Sequence, residues 1–215
     1  MLRFDFTFQV PGKSLHSATG TFNEGLRLAI LGPSGCGKST FLKTLCGLSP
    51  IESGFIEWKG QELNKALLNQ GLLGFSFQNS ALFAHLTVKE NLQLPFKTLS
   101  NFKNFAPSLQ EEKVHLFLKK AQLTELADRY PHDLSGGEKK RISLLRSIIF
   151  EAPLLVLDEP FSDLDAENRT LYKAWLEKLL ADHNGILIYV THSEEDLSLS
   201  NSRMNWPNDA RLLFK

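Results

Sequence analysis

The chain has 215 residues, 42% of them hydrophobic, with 24 basic against 24 acidic side chains and a formal net charge of +0. That length fits one domain, or one domain with a large insertion, and allows a substantial core. The balanced charge excludes a global basic field that would gather nucleic acid or anionic lipid, and two cysteines, Cys36 and Cys46, are too few for a disulfide framework.

In chain order, Leu2, Phe4, Phe6, Phe8 and Val10 alternate with polar residues, which predicts an amphipathic strand and not a signal peptide. Leu26 to Leu31 is a short apolar run, followed by "GPSGCGKST" at Gly32 to Thr40. After Lys38, the residues Phe41, Leu42, Leu45 and Leu48 share a helical face, with Pro50 as a stop. Phe55, Ile56 and Trp58, between Gly54 and Gly60, read as a strand that joins the first in an antiparallel layer. Leu72 to Phe77 is a second apolar run, weakened by Gly74.

Residues from about 87 to 150 read as helical. Thr87 with Glu90 and Ser108 with Glu111 match capping boxes, and Val114, Phe117, Leu118 and Ala121 form one face. The irregular stretch Thr98 to Ser108 holds two phenylalanines, for which local packing is favoured over a partner contact. "LSGGE", Leu134 to Glu138, opens a helix whose stripe is Ile142, Leu145, Ile148 and Ile149. Leu154 to Leu157 is the third apolar run, Leu171, Trp175, Leu179 and Leu180 give another helical stripe, and Ile186 to Val190 is the fourth run. Past His192 the sequence offers an acidic helix start and two brief strands. Nothing approaches the roughly 18 apolar residues of a membrane helix, so the chain is expected in the cytosol or at a membrane only through a partner.

Short, nearly continuous apolar runs alternating with helices predict an α/β fold around a mostly parallel sheet. The residues just beyond the four runs are Gly32, Gln78, Asp158 with Glu159, and His192. Ligands of open α/β sheets bind beyond the carboxyl ends of the strands, so these distant positions converge on one ligand.

The pattern Gly32-x-x-x-x-Gly37-Lys38-Ser39 between strand and helix is a phosphate loop. Its glycines let backbone N–H groups face phosphates, and the helix N-terminus adds positive potential. Lys38 neutralises phosphate charge, and the Ser39 hydroxyl can ligate Mg²⁺. In "LLVLDEP", Asp158 ends a buried strand where it can hold Mg²⁺ through water, and the adjacent Glu159 faces an attacking water as general base. In "LSGGE", Ser135 can cap the following helix, while Gly136 and Gly137 expose N–H groups at its N-terminus.

Taken in order, "GPSGCGKST", "FSFQNSALF", "LSGGE", "LLVLDEP", "FSDLD" and "VTHS" resemble the nucleotide-binding subunit of an ABC transporter, over nearly the whole stretch from Leu26 to Ser193. The resemblance implies a P-loop NTPase, or ABC ATPase, occupying 1–215 as a single domain. It has a mostly parallel core sheet, an N-terminal antiparallel β layer and an inserted helical subdomain over about 87–150. It implies ATP and Mg²⁺ as cofactors and a head-to-tail dimer with a second copy, ATP lying between one phosphate loop and the other signature loop.

The residues Gly32, Pro33, Ser34, Gly35, Cys36, Gly37, Lys38, Ser39 and Thr40 then hold the phosphates. Ser39, Gln78 and Asp158 coordinate Mg²⁺ directly or through water, and Glu159 is the base. His192 senses the γ-phosphate, Asp165 contacts the opposing site, and Ser135, Gly136, Gly137 and Glu138 meet the other copy's ATP. Glu138 stands where glutamine is commoner in the family.

The segment Ala81 to Leu92 resembles that of bacterial importers of small solutes and ions. Its apolar residues either form a groove for an integral membrane permease subunit or pack into the chain's own core. An external solute-binding protein completes such a system, which places the subunit on the cytoplasmic face of the cell membrane. The aromatic that stacks on adenine in relatives is expected near Gln9; Phe8 is nearest, but its alternation reads as core. The short stretch after His192 leads to the expectation of no regulatory domain. A soluble ABC ATPase acting on nucleic acid or ribosomes is the alternative, disfavoured by the single cassette and neutral charge.

Overall fold

The alternation that opens the sequence does become a strand, and its partners make the first of two sheets. The computed structural model describes residues 1–12, 15–63, 65–78, 82–162 and 164–206. In chain order the elements are β1 (Leu2–Gln9), β2 (Leu15–Phe22), β3 (Arg27–Leu31), α1 (Lys38–Leu45), β4 (Ser53–Trp58), β5 (Gln61–Glu62), α2 (Lys65–Asn69), β6 (Leu73–Ser76), α3 (Val88–Thr98), α4 (Pro107–Ala121), α5 (Gly136–Ile148), β7 (Leu154–Asp158), α6 (Ala166–Leu179), β8 (Ile186–Thr191) and β9 (Ser202–Asn205). Short 3-10 turns lie at Ser100–Phe102, Thr124–Leu126, Pro131–Asp133 and Glu194–Leu199.

The first sheet runs β2-β1-β4-β5 and is antiparallel throughout. Leu2, Phe4, Phe6 and Phe8 all point inward, and the last three rings lie 6.2, 6.0 and 6.1 Å from the ring of Phe41 on α1. Gly54, paired with Phe6, has φ of 100°, and a Cβ there would sit 2.0 Å from the Asp5 carbonyl oxygen. Only glycine lets the two strands approach that closely.

The second sheet runs β6-β7-β8-β3-β9, with every pairing parallel. β7 and β8 are buried at every position, which is why their sequences read as unbroken apolar runs. Alternate residues serve two cores. Leu154, Val156, Ile186 and Ile188 meet α1 and the antiparallel sheet, while Leu155, Leu157, Leu187 and Tyr189 meet the helices from α3 onward. Register sets the functional edge: Leu31 pairs with Thr191, Asp158 with Val190 and Ser76 with Leu157, so four strands end nearly level.

Some expectations fail locally. Ser108 does not cap α4, which starts instead with Pro107 at its first position; proline there loses no hydrogen bond and is already at a helical φ. α1 stops at Cys46, with Gly47 left-handed, so Leu48 leaves the helical stripe and is 45% exposed. On α6 the buried residues are Tyr172 and Leu176, followed by Leu180 just past its end, while Leu171 is 64% exposed and Trp175 and Leu179 are half-buried. Of the predicted stripe Leu180 is buried and Trp175 and Leu179 pack at the edge of the core, while the centre of the inward face lies about one residue, roughly 100° of helix, round from Leu171. The box at Thr87 and Glu90 does form, and Phe102 and Phe105 pack locally, with rings 5.3 Å from that of Phe96. The acidic start after His192 is a 3-10 turn capped by Ser193 and not an α-helix. β9 supplies one of the two brief C-terminal strands. The second, the Asn79–Ala81 part of the Gln78 motif, and Asp163 lie outside the described residues.

Candidate functional site

The phosphate loop leaves the end of β3 and turns into α1 through Gly37, which caps the helix in the left-handed region at φ of 102°. Lys38, only 4% exposed, bends back over the loop, and its Nζ donates to the carbonyls of Gly32 at 2.7 Å and Pro33 at 2.9 Å. The ammonium is thus held inside the arc by weak, exchangeable acceptors. Pro33, Ser34 and Gly35 are exposed at the rim, Cys36 and Gly37 are buried behind it, and Ser39 and Thr40 are partly exposed.

A residue to which sequence reasoning gave no role braces this loop. Trp206 is 2% exposed, its backbone N–H donates to Leu31 O at 2.6 Å, and its indole Nε1 donates to Cys36 O at 3.0 Å. Its ring stacks on Phe41 at 4.7 Å. The only signal in the sequence was a lone tryptophan after the last apolar strand.

At the end of β7, Asp158 is 5% exposed and accepts the Ser39 hydroxyl at 2.8 Å. Burial holds its carboxyl above the usual range; the Ser39 bond opposes that shift and the neighbouring Glu159 charge adds to it. Glu159 takes a left-handed backbone, φ 49°, uncommon for a side chain of this kind and typical of functional turns. Its Oε2 accepts from Gln78 Nε2 at 3.0 Å. Its carbonyl accepts from Ser162 N and Oγ, and Ser162 O in turn accepts from Lys140 of α5. The loop after the acidic pair is therefore tied to the helix that LSGGE opens. His192 lies exposed one residue beyond the Leu31–Thr191 pair, at the same edge.

The structure thus brings Lys38, Ser39, Gln78, Asp158, Glu159 and His192 to one edge of the sheet. The donor set of one hydroxyl, one carboxylate and one amide suits a cation that completes its shell with water and phosphate oxygens. Among the described residues no cluster of three histidine, cysteine or acidic side chains could hold a metal by itself.

The signature residues sit apart. Ser135 caps α5 in a reciprocal box: its Oγ accepts from Glu138 N at 3.3 Å, and Glu138 Oε2 accepts from Ser135 N and Oγ, each at 2.7 Å. The Ser135 hydroxyl and N–H hold the Glu138 carboxyl below its usual range. This box leaves the Gly136 and Gly137 N–H groups to other partners, and a Cβ on either glycine would meet nothing within 4 Å. Asp165 caps α6 through Asn168 N at 2.9 Å, a bond that also lowers its pKa. Ser135, Gly137 and Asp165 line a cavity of about 440 Å³ whose lining contains no residue of the phosphate loop.

A third feature is an apolar groove of about 390 Å³ between the parallel sheet and the helices, with Phe77, Phe83, Leu94, Leu99 and Phe150 in its walls. Phe83 is 50% exposed there with the Arg146 guanidinium 5.5 Å from its ring centre, whereas Leu82 packs against the helical core. Leu82 thus follows the core reading of this segment, and Phe83 does not. Phe8 is fully buried among aromatic rings, so it is not an adenine-stacking surface.

Fold and site define a P-loop α/β protein with a second glycine loop ahead of its acidic strand. Residues 15–162 match the family described as ABC transporter, and the chain belongs to that family. It is 40% identical over 186 residues to the sulfate/thiosulfate import ATP-binding protein CysA of Pectobacterium atrosepticum, covering 86% of this chain and 56% of that protein. The protein of the same name from Cucumis sativus is 39% identical over 183 residues, covering 85% and 51%. The chain thus spans about half the length of these relatives. Its fold is that of the ATP-binding cassette MJ0796, solved as a dimer in a post-hydrolysis state with ADP and Pi. The TM-score is 0.80 at 24% identity, over 95% of this chain and 94% of that one. No helix among the described residues is long and apolar enough to cross a membrane.

Proposed function

We propose that this chain binds and hydrolyses ATP as the nucleotide-binding subunit of an importer of a small solute or ion. The observation that carries the reading is the pair of contacts Ser39–Asp158 at 2.8 Å and Gln78–Glu159 at 3.0 Å, beside a lysine cradled in a phosphate loop. On binding, Lys38 exchanges the Gly32 and Pro33 carbonyls for phosphate oxygens. Ser39, Asp158 and Gln78 would hold Mg²⁺, which neutralises charge on the β- and γ-phosphates when bound. Glu159 takes a proton from the water that attacks the γ-phosphorus, as the bond to the β-phosphate oxygen breaks. The Gln78 amide orients the Glu159 carboxylate, and His192 donates to the γ-phosphate.

Gly137 lines, with Ser135, a cavity that the phosphate loop does not line, and a Cβ on Gly136 or Gly137 would meet nothing within 4 Å, so this helix start completes the pocket of a second copy packed head to tail. Asp165 reaches across the same contact. Within the single domain 1–215, the helices over about 87–150 form an inserted subdomain that carries the opening and closing motion. The groove at Phe83 receives a helix of an integral membrane permease subunit, which places the chain on the cytoplasmic face of the membrane. The relatives named for sulfate and thiosulfate import support a small-solute system, one that would also use an external solute-binding protein. Phosphate release from ATP and Mg²⁺, together with pull-down from membranes, tests the proposal. Turnover and recovery of an integral membrane subunit are expected; recovery of ribosomes or DNA contradicts it.

A further inference from the structure

Asp196 is an acid the catalytic site does not use, yet it is completely buried. Its carboxylate accepts from Arg169 Nε at 2.9 Å and Nη2 at 2.7 Å, from Lys173 Nζ at 3.0 Å, and from Thr191 Oγ1 at 2.7 Å. Its carbonyl accepts the Tyr189 hydroxyl at 2.8 Å, and Lys173 also donates to the carbonyl of Glu195. The Thr191 hydroxyl accepts Ser193 N at 3.1 Å. Burial disfavours the ionised form, but the bonds from Thr191, Arg169 and Lys173 outweigh it and hold the carboxyl below its usual range.

The places these partners come from give the cluster its meaning. Thr191 ends β8 and immediately precedes His192. Arg169 and Lys173 lie four and eight residues beyond Asp165 on one face of α6, the helix that Asp165 caps. The turn carrying His192 and the helix started by Asp165 therefore converge on a single carboxylate. Burying a carboxylate under two partly buried cations is a costly way to gain stability alone, since well-packed apolar side chains often do as well or better. Ion pairs of fixed geometry instead set position.

We propose that Asp196 is a positioning residue that locks the His192 turn to α6, so that the phosphate-sensing histidine and Asp165 move as one unit. The inference rests on the ATPase reading of His192. It predicts that ATP binding and turnover separate. Asp196→Asn keeps the shape but removes the charge, so affinity for ATP stays within about twofold while kcat falls by about tenfold or more. Thr191→Val leaves both ion pairs in place and removes the tie to β8 together with the acceptor of Ser193 N; it shifts kcat in the same direction by about threefold. Because both changes act through His192, adding either to His192→Ala lowers kcat no further.

The experiment measures kcat and ATP affinity for the two variants, for His192→Ala and for the double variants, with folding checked by circular dichroism. A fall in kcat at constant affinity that vanishes in the His192→Ala background supports the lock. Unchanged kcat in folded Asp196→Asn, or losses that multiply fully with His192→Ala, overturn it. If Asp196→Asn fails to fold, Thr191→Val decides by the same criterion. Should His192→Ala itself leave hydrolysis intact, the role given to His192 falls and the lock with it. An effect of His192→Ala without one of Asp196→Asn removes the lock alone.

Discussion

Replacing Trp206 by phenylalanine tests how the phosphate loop is held. A trans peptide places its C=O and N–H on opposite sides. The indole Nε1 bond to Cys36 O, at 3.0 Å, therefore aims the Gly37 N–H away from Trp206. Phenylalanine keeps the stacking on Phe41 but leaves a buried carbonyl unbonded, a loss of about 1–2 kcal/mol. The smaller ring also leaves a void worth about 1 kcal/mol of stability. If the bond selects the binding form of the loop, the first amount appears in affinity, weakening ATP binding by about 5–30-fold. Thermal denaturation and titration with a fluorescent ATP analogue separate the two effects. A variant that loses stability but binds ATP with unchanged affinity would refute the brace.

Lys38→Ala removes a charged donor from the centre of the loop, and ATP affinity is expected to fall by about tenfold to a hundredfold in the same titration. Asp158 carries a folded-state pKa raised mainly by burial. Its contribution to stability is therefore full below the ordinary carboxylate value and is lost as pH rises through the raised one. At neutral pH Asp158→Asn should raise the melting temperature while impairing Mg²⁺-dependent turnover, with the stability gain shrinking in acid; a lower melting temperature at pH ~7 would contradict the burial argument. Ser135→Arg fills the open face at the start of α5 and should leave single-chain ATP affinity within about twofold while preventing ATP-dependent association, as read by light scattering.

The edge of the parallel sheet was legible because each strand is an apolar run followed at once by a polar or glycine position. Ser39, Gln78, Asp158 and Glu159 meet where that pattern puts them. The Thr87 capping box was legible for the same local reason. What failed depends on tertiary context. Two capping signals overlap at the start of α4, and Pro107 prevailed over Ser108. Leu171 and Tyr172 are adjacent and both apolar, so the face of α6 was decided by what it packs against, Phe161 and the sheet. Asp196 sits in an acidic run that reads as solvated; only the fold brings Arg169 and Lys173 over it. Trp206 likewise gains its role only when β9 joins the sheet beside β3.

The claim on which the account turns is that ATP joins two copies, each phosphate loop closed by the other's signature. The most direct measurement is the mass in solution of Glu159→Gln with saturating ATP and Mg²⁺, by light scattering. The account predicts a dimer holding two unhydrolysed ATP molecules that reverts to single chains on adding Ser135→Arg. A monomer fully occupied by ATP at every protein concentration would contradict it.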